Sequence, residues 1–574
     1  MTGNRVVVTR CKRTGLLLLP NTDMQHDAMA AVLAAHASLN VDPGFIPRMT
    51  LAERARMVAI AGTTDTGLSG KMTFCPVLKK NAFTCDDLGE PKTDAVNGRD
   101  LAAAVFQDTQ VPSADRAKYC AWYLMQTPRN VSKLYLPTEA AHAELRGWDA
   151  EDAIPLLVPH PSRPAVTNRE LHAKQQAINR MWRDAVAICP ASDDVLPGLD
   201  AAQKAAVDKV LATPASLLCG MGGTGKSFVL SKMISVLQRQ GVEVVCLAPT
   251  HKAKYNIAAA VPAAVTVTTI QSYTQTLKRG TDSVPELVVI VDEASMLDVD
   301  SLGDFALALL DRVEQWQICL VGDPAQLPPV GRGECFRLAV RQAKDVTVVL
   351  THCYRAAFVK MFDFHCELRA GRLSAGDGEV ATVKVLASDA EVMSHLRSVV
   401  QREGASVTYI AWRNADVDAI NKMVQLKVTG CPPAGNAFNA DDAVVYVGDN
   451  KPSEQLTNAM CGRVVSSHKW TVTVAWDVGA DKPPRVSSTD ARNVRLAYCL
   501  TVHKAQGSGF ARVCVAVMGS STMLKCLDRR WLYTAVSRAQ REVLVLCTRD
   551  AHALAAKEPL PAQLSCLTFR PAAA

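Results

Sequence analysis

From about residue 196 onward, apolar runs of strand length alternate with amphipathic stretches. "ASLLCG" (215–220) is apolar enough to lie buried on both faces. The "KSFVLSKMISVLQRQG" that follows sets Leu230, Met233, Ile234 and Leu237 on a 3.6-residue period that stops at Gly241. "VEVVCLAPT", "ELVVIVDE" and "QICLVGD" repeat the strand pattern, which predicts a doubly wound parallel sheet with helices on both faces. "VTYIAW" and "VLVLCT" predict a second sheet further on. Between 441 and 494 the pattern becomes all-β: "AVVYVGD", "GRVVSSH", "WTVTVAW" and "RVSST" turn at Gly, Asp and Pro, as in a small barrel inserted in the second α/β unit. Residues 1–195 read as a mixed accessory region, with helical patterns at 24–39 and 168–189. Near the start, "VVV…KRTG…LLLL" predicts two strands around a turn.

Composition narrows the class. With 574 residues, 48% hydrophobic, 21% charged and 5% aromatic, the chain has core material for several domains and is neither disordered nor fibrous. A net charge of +7 permits a nucleic-acid partner without requiring one. Eighteen cysteines without a CxxC pair predict reduced, buried thiols of an intracellular protein, cytoplasmic or nuclear, rather than zinc knuckles or a disulfide scaffold. No apolar run approaches the ~18 to 20 residues of a membrane helix, and "LLLL" is too short for a signal core. No membrane partner is expected.

The chemistry concentrates at strand ends. "GMGGTGKS" comprises Gly220, Met221, Gly222, Gly223, Thr224, Gly225, Lys226 and Ser227. Its spacing is that of a phosphate-binding loop: backbone N–H groups wrap the phosphates, Lys226 reaches the β- and γ-phosphates of ATP, and the Ser227 hydroxyl meets Mg²⁺ at a helix N-terminus. "VVIVDEAS" delivers Asp292 as a metal ligand and Glu293 as a base for water. "LVGDPAQLPPV" ends a third strand with Gln326, a γ-phosphate sensor. Arg355 in "THCYRA" and Arg538 in "YTAVSRAQ" are candidate arginine fingers. In "CLTVHKAQGSGF" (499–510), Cys499 ends an apolar strand-like run and is expected to be a buried thiol, not a nucleophile.

The set as a whole resembles superfamily 1 helicases, specifically the RecD-like and Dda-like 5′ to 3′ branch. Eight segments occur in family order: "GLDAAQKAAV", "GMGGTGKS", "APTHKAK" followed by "TTIQSYT", "VDEASML", "GDPAQLPPV", "CYRA", "LTVHKAQGSGF" and "YTAVSRA", spanning about residues 198 to 546. The resemblance implies two RecA-like P-loop domains, at 196–350 and at 351–440 with 495–574, interrupted by an SH3-like β-barrel at 441–494. It implies ATP and Mg²⁺ between the domains and single-stranded or forked DNA across their top. On this resemblance Gln203 reads the adenine, and Gln326, Arg355 and Arg538 contact the γ-phosphate. Thr250, His251, Asn414, Thr501 and His503 face nucleic acid, with Asn421 a further recognisable position, while Gln506 and Gly507 approach the ATP cleft.

Two departures stand out. The segment after "TTIQSYT" is short where relatives carry a duplex-splitting hairpin, with "TLKRGTDS" as a stub. Gly509 replaces a polar or acidic residue. The expected activity is an ATP hydrolase driving 5′ to 3′ movement and DNA unwinding, with replication or repair proteins meeting the N-terminal region. The alternatives are a viral-type superfamily 1 RNA helicase or NTPase, and a catalytically weak helicase-fold scaffold or loading factor.

Overall fold

The structure is a computed structural model. It describes residues 133–145, 157–167, 169–188, 198–559 and 565–569, together with the strands Thr9–Arg10, Leu17–Leu18, Met72–Cys75 and Lys80–Phe83; within the long span 263, 355–358, 431–437, 449–455, 457, 469, 478–483 and 521 fall outside the described residues. The helical pattern at 24–39 and Arg355 therefore lie outside them. Two compact units are present, 1–173 with 563–566, and 174–562 with 567–574. No helix among the described residues is long and apolar enough to cross a membrane.

In the first unit, Thr9–Arg10 and Leu17–Leu18 pair antiparallel. A small antiparallel sheet joins Leu136–Pro137, Ala165–Thr167 and Val158–Pro159, and the helix Thr138–Leu145 follows its first strand. The pattern at 168–189 is realised as the helix Arg169–Arg183, which runs from the end of the first unit into the second.

The second unit holds three sheets. The first follows the helix α1 (Ala201–Ala212) and comprises β1 (Ala215–Gly220), β2 (Val244–Ala248), β3 (Thr266–Thr269), β4 (Val284–Val291), β5 (Val313–Gly322) and β6 (Thr347–Leu350). They are wholly parallel in the order β3-β2-β4-β5-β1-β6. The intervening helices are α2 (Lys226–Arg239), α3 (His251–Ala260), α4 (Ile270–Arg279), α5 (Val299–Arg312) and α6 (Cys335–Gln342). Leu230, Met233, Ile234 and Leu237 of α2 are buried as the period requires, joined by Val229 and Val236. Local capping starts the helices where the sequence turns polar. Asp200 and Gln203 form a reciprocal capping box on α1, and the Asp298 carboxylate accepts the Ser301 N–H at 2.7 Å to start α5. "TLKRGTDS" forms no hairpin stub. Thr276 to Arg279 are the last turn of α4, which ends at Gly280, where the backbone N–H still donates to the Thr276 carbonyl.

The second sheet comprises β7 (Gly376–Asp377), β8 (Ala381–Leu386), β9 (Thr408–Ala411), β15 (Cys499–Thr501), β16 (Phe510–Val517) and β17 (Ala539–Thr548), in the order β7-β8-β17-β16-β9-β15, with β7 alone antiparallel. Its helices are α7 (Val359–Arg369), α8 (Asp389–Glu403), α9 (Asn414–Thr429), the short α10 (Val502–Ala505) and α11 (Arg529–Val536). The third sheet is antiparallel: β13 (Arg485–Asp490), β12 (Thr471–Trp476), β11 (Cys461–His468), β10 (Ala443–Tyr446) and β14 (Val494–Leu496) lie in that order around Tyr446, Val464, Val474 and Trp476. All four strands read from the 441–494 pattern are present.

His365 of α7 is 1% exposed and packs edge-on against Tyr533 of α11, with ring centroids 6.1 Å apart. Burial keeps its imidazole neutral, lowering its pKa from 6.5 to about 4. As pH falls, the unfolded chain takes up this proton first, so stability on the order of 3 kcal/mol that is present above pH 6.5 is lost between pH 6.5 and 4. His365→Phe should flatten the loss of stability across that window by about this amount, measured by denaturant titration at a series of pH values; an unchanged pH slope would refute the assignment.

Candidate functional site

Sheet order brings the sequence motifs together. β4, β5 and β1 are neighbours, so their carboxyl ends place Asp292 and Glu293, the loop from Asp323 to Gln326, and the phosphate-type loop along one edge. In that loop Gly223 and Gly225 have φ of 87° and 82°, conformations that L side chains rarely adopt. A Cβ on Gly225 would also meet the Gln203 amide nitrogen at 2.9 Å, so the base of α1 closes directly over the loop. Thr224 is buried, with its hydroxyl donating to the Met221 carbonyl at 2.8 Å, and Lys226 Nζ donates to the Gly220 and Met221 carbonyls at 2.7 and 3.1 Å. Ser227 is exposed on the first turn of α2.

Asp292 and Glu293 sit where β4 ends. The Glu293 N–H donates to Asp292 Oδ1 at 2.8 Å, and Glu293 itself has φ of 52°, the left-handed region that costs a non-glycine residue of order 1–3 kcal/mol. Burial pushes the Asp292 carboxyl up to about 6; Glu293 adds to the shift and Lys226 opposes it. A recessed carboxylate of this kind, beside a second acid and below a phosphate-type loop, suits a cation.

The second sheet closes the cleft. Gln326 and Gln506 are both buried, with Nε2 of Gln506 3.5 Å from Oε1 of Gln326. The Arg538 guanidinium is 6% exposed and is held by the carbonyls of Thr534 (3.0 Å) and Ser508 (3.4 Å) and by the Ser537 hydroxyl (2.9 Å). Burial lowers its pKa, and Glu293 across the cleft opposes that shift. Gly507, with φ of 74°, accepts a hydrogen bond from Asn256 Nδ2 of α3 at 2.6 Å.

The positions assigned to nucleic acid are more scattered. Thr250 caps α3 by accepting the Ala253 N–H at 3.2 Å, with His251 next to it; burial lowers the His251 pKa. Thr501 caps α10, and Asn414 begins α9; both line a cavity of about 340 Å³ between the second sheet and the barrel, with His503 exposed nearby on α10. Asn421 is buried and clamps backbone instead: its amide accepts the Cys499 N–H at 2.8 Å and donates to the Leu496 and Cys499 carbonyls. Cys499 is fully buried, and burial raises its thiol well above the usual range, so it is no nucleophile. At Gly509 a Cβ would meet the amide end of the exposed Gln540 side chain, which would have to swing aside.

Sequence reasoning missed the groups that join the two sheets. Asp323 is 1% exposed and accepts from the Ala325 N–H at 3.0 Å and the Tyr533 hydroxyl at 2.6 Å, with Arg369 Nη1 3.7 Å away. Next to it the Leu327 N–H donates to the Thr534 hydroxyl at 2.8 Å. Tyr354 also escaped notice: its hydroxyl donates to Asp200, its N–H donates to the Gly223 carbonyl at 3.2 Å, and its ring lies against Gly225. A polar residue directly after the apolar run "QICLVG" was the available signal for Asp323.

A parallel sheet with such a loop at the end of β1 and paired acids at the end of β4 defines a P-loop nucleotide-binding protein. Residues 198–388 match the AAA domain family and residues 496–546 the UvrD-like helicase C-terminal domain family. The chain is 28% identical over 395 residues to the ATP-dependent RecD2 DNA helicase of Deinococcus radiodurans, covering 65% of this chain and 52% of that one. It is 24% identical over 450 residues to the RecBCD enzyme subunit RecD of Mycolicibacterium smegmatis, covering 64% and 77%. A crystal structure of Pif1 helicase from Bacteroides with ADP-AlF3 and single-stranded DNA overlaps 62% of this chain and 94% of that one at 18% identity and a TM-score of 0.41. The two domain matches and the RecD relatives make the chain similar to superfamily 1 helicases of the RecD-like type. The chain spans about half the length of the RecD2 relative.

Tyr533→Phe leaves the buried Asp323 carboxylate one donor short. It should destabilise the second unit by about 1–3 kcal/mol, read as a lowered chemical-denaturation midpoint.

Proposed function

We propose that this chain is an ATP-dependent DNA helicase or translocase that couples hydrolysis to 5′ to 3′ movement on single-stranded DNA and to duplex unwinding. The observation that carries the reading is the convergence, at the junction of two parallel sheets, of Lys226, Asp292, Glu293 and Gln326 from one side with Gln506 and Arg538 from the other. In this reading the loop from Gly220 to Ser227 holds the phosphates, Gln203 and Tyr354 flank the base, and Ser227 and Asp292 hold Mg²⁺, which supplies charge neutralisation for the phosphates. Glu293 orients water and takes its proton. Gln326 senses the γ-phosphate, and Arg538, with Arg355, stabilises the charge that develops on it. The domain division is that read from the sequence, with 441–494 as an SH3-like barrel and 1–195 as an accessory domain that meets replication or repair proteins.

Movement follows from differential grip. Nucleotide draws the second sheet onto the first through Gln506 and Arg538, and the strand-facing elements at Thr250, His251, Asn414, Thr501 and His503 shift with it. Binding should rest on phosphate contacts and base stacking at about 1–3 kcal/mol per base, weakening with salt at a slope near −0.7 per phosphate contacted.

Purified chain should hydrolyse ATP faster with single-stranded DNA than with poly-ribonucleotide, and should open forks bearing a 5′ tail in preference to a 3′ tail. A preference for ribonucleotide would assign it to RNA. Lys226→Ala should abolish this turnover while leaving the melting curve intact; undiminished DNA-stimulated hydrolysis would refute the site. His503→Ala should lose DNA stimulation while retaining nucleotide binding, measured by ATPase titration with DNA beside ADP binding.

A further inference from the structure

The joint between the two sheets holds a second concentration of positive charge, on a cavity whose lining includes no residue of the phosphate-type loop. Five arginines line one open cavity of about 740 Å³: Arg337 and Arg341 on α6, Arg369 at the end of α7, and Arg529 and Arg530 in the first turn of α11. The loop that follows Asp323 forms another part of its wall through Pro324 and Ala325.

The acids that balance these guanidiniums stand mostly behind them. Asp528 and Glu334, at 4% and 13% side-chain exposure, hold Arg530 at 2.7 Å each, and Glu334 also reaches Arg337 at 3.3 Å. Asp323, fully buried at its side chain, backs Arg369 at 3.7 Å. Among the described residues lining the cavity, the one acid is Glu558, which pairs with Arg529 at 2.9 Å from a rim position that is 82% exposed. Only the Glu558 end of that pair is in water; the Arg529 side chain is 13% exposed.

Arg337 and Arg341 are four residues apart on one helix, so two like charges stack on the same face, an unfavourable arrangement unless an anion answers it. Burial pulls the Arg337 guanidinium below its usual range; Glu334 opposes this, while Arg530 and Arg341 add to it. The result is a set of planar forks, oriented from behind by carboxylates and facing a common space, which is the donor arrangement that matches a phosphate group.

We propose that this cavity is a second oxyanion site, distinct from the nucleotide loop, that takes a small phosphate-bearing molecule of the di- or triphosphate class. Arg341 supplies an exposed fork, Arg337 and Arg529 supply largely covered forks that line the wall, and Arg530, held by Asp528 and Glu334, supplies a fixed one. Because Arg369 serves both Asp323 and this cavity, an anion bound here shares a guanidinium with the carboxylate that ties the two sheets.

The test uses the full chain with ADP and Mg²⁺ saturating the nucleotide loop, and inorganic pyrophosphate as the probe in equilibrium dialysis. One pyrophosphate should remain bound in the presence of ADP. Its affinity should fall by about tenfold or more in Arg341→Glu and in Arg337→Met, with Arg337→Lys keeping part of it and ADP affinity unchanged in all three. Arg341 is exposed, so its replacement should leave the melting temperature in place even if Arg337→Met does not fold. Complete displacement of pyrophosphate by ADP, or equal binding by wild type and Arg341→Glu, would overturn the proposal. A short oligothymidylate run in parallel separates the other source of phosphate: loss of oligonucleotide binding in the variants with no pyrophosphate bound to wild type would assign the cavity to a strand backbone and also overturn it.

Discussion

A carboxylate removed from water must be answered by donors, and at Asp323 those donors come from different parts of the chain. Its own loop supplies the Ala325 N–H, while the second sheet's helices supply the Tyr533 hydroxyl and the Arg369 guanidinium. Separating the sheets would strip this carboxylate of the Tyr533 hydroxyl and the Arg369 guanidinium and leave it the Ala325 N–H. The neighbouring Leu327 to Thr534 bond and the Gln326 to Gln506 approach lie on the same short loop, so the position of the Gln326 amide is set by contacts with the opposite sheet. The cleft geometry follows from this joint: Arg538 lies one helical turn beyond Thr534 and bonds its carbonyl, which holds the guanidinium toward Glu293.

The nucleotide side has a comparable dependence on backbone conformation. Gly223 and Gly225 allow the loop to turn, and Glu293 takes up a left-handed conformation that its side-chain role must justify. Asp200 serves twice, capping α1 through the Gln203 N–H and accepting the Tyr354 hydroxyl, so the wall over the loop is fixed by one carboxylate.

Much of this was legible in the sequence. Four of the six strands of the first sheet (β1, β2, β4 and β5) and the face of α2 follow from apolar period, because parallel strands are buried on both sides and their helices on one; the edge strands β3 and β6 carry too little of that pattern. The four β segments at 441–494 were legible by alternation. The phosphate-type loop and Asp292 with Glu293 were legible because their chemistry is local, written in contiguous residues. What escaped was non-local. Asp323, Tyr533 and Arg369 acquire meaning only when segments far apart in the chain are brought together, and no periodicity records that. Asn421 shows the converse: its motif pointed outward, but the unpaired groups of an edge strand claimed its amide. "TLKRGTDS" was misread because Gly, Thr, Asp and Ser announce a turn without saying what precedes it, and here a helix runs into it.

The strand order of the second sheet bears on how the chain is made. β8 finds its parallel partner only in β17, and β9 its partners in β15 and β16, with the whole antiparallel barrel synthesised in between. While a ribosome works through residues 387–538, β8 has only the two-residue β7 beside it, and β9 has no mate until β15 is made. Such segments are the ones that chaperones bind and that aggregate when synthesis stalls. The first sheet, whose strands are all complete by Leu350, can fold ahead of it and offer the Asp323 loop as a surface on which the late helix α11 docks.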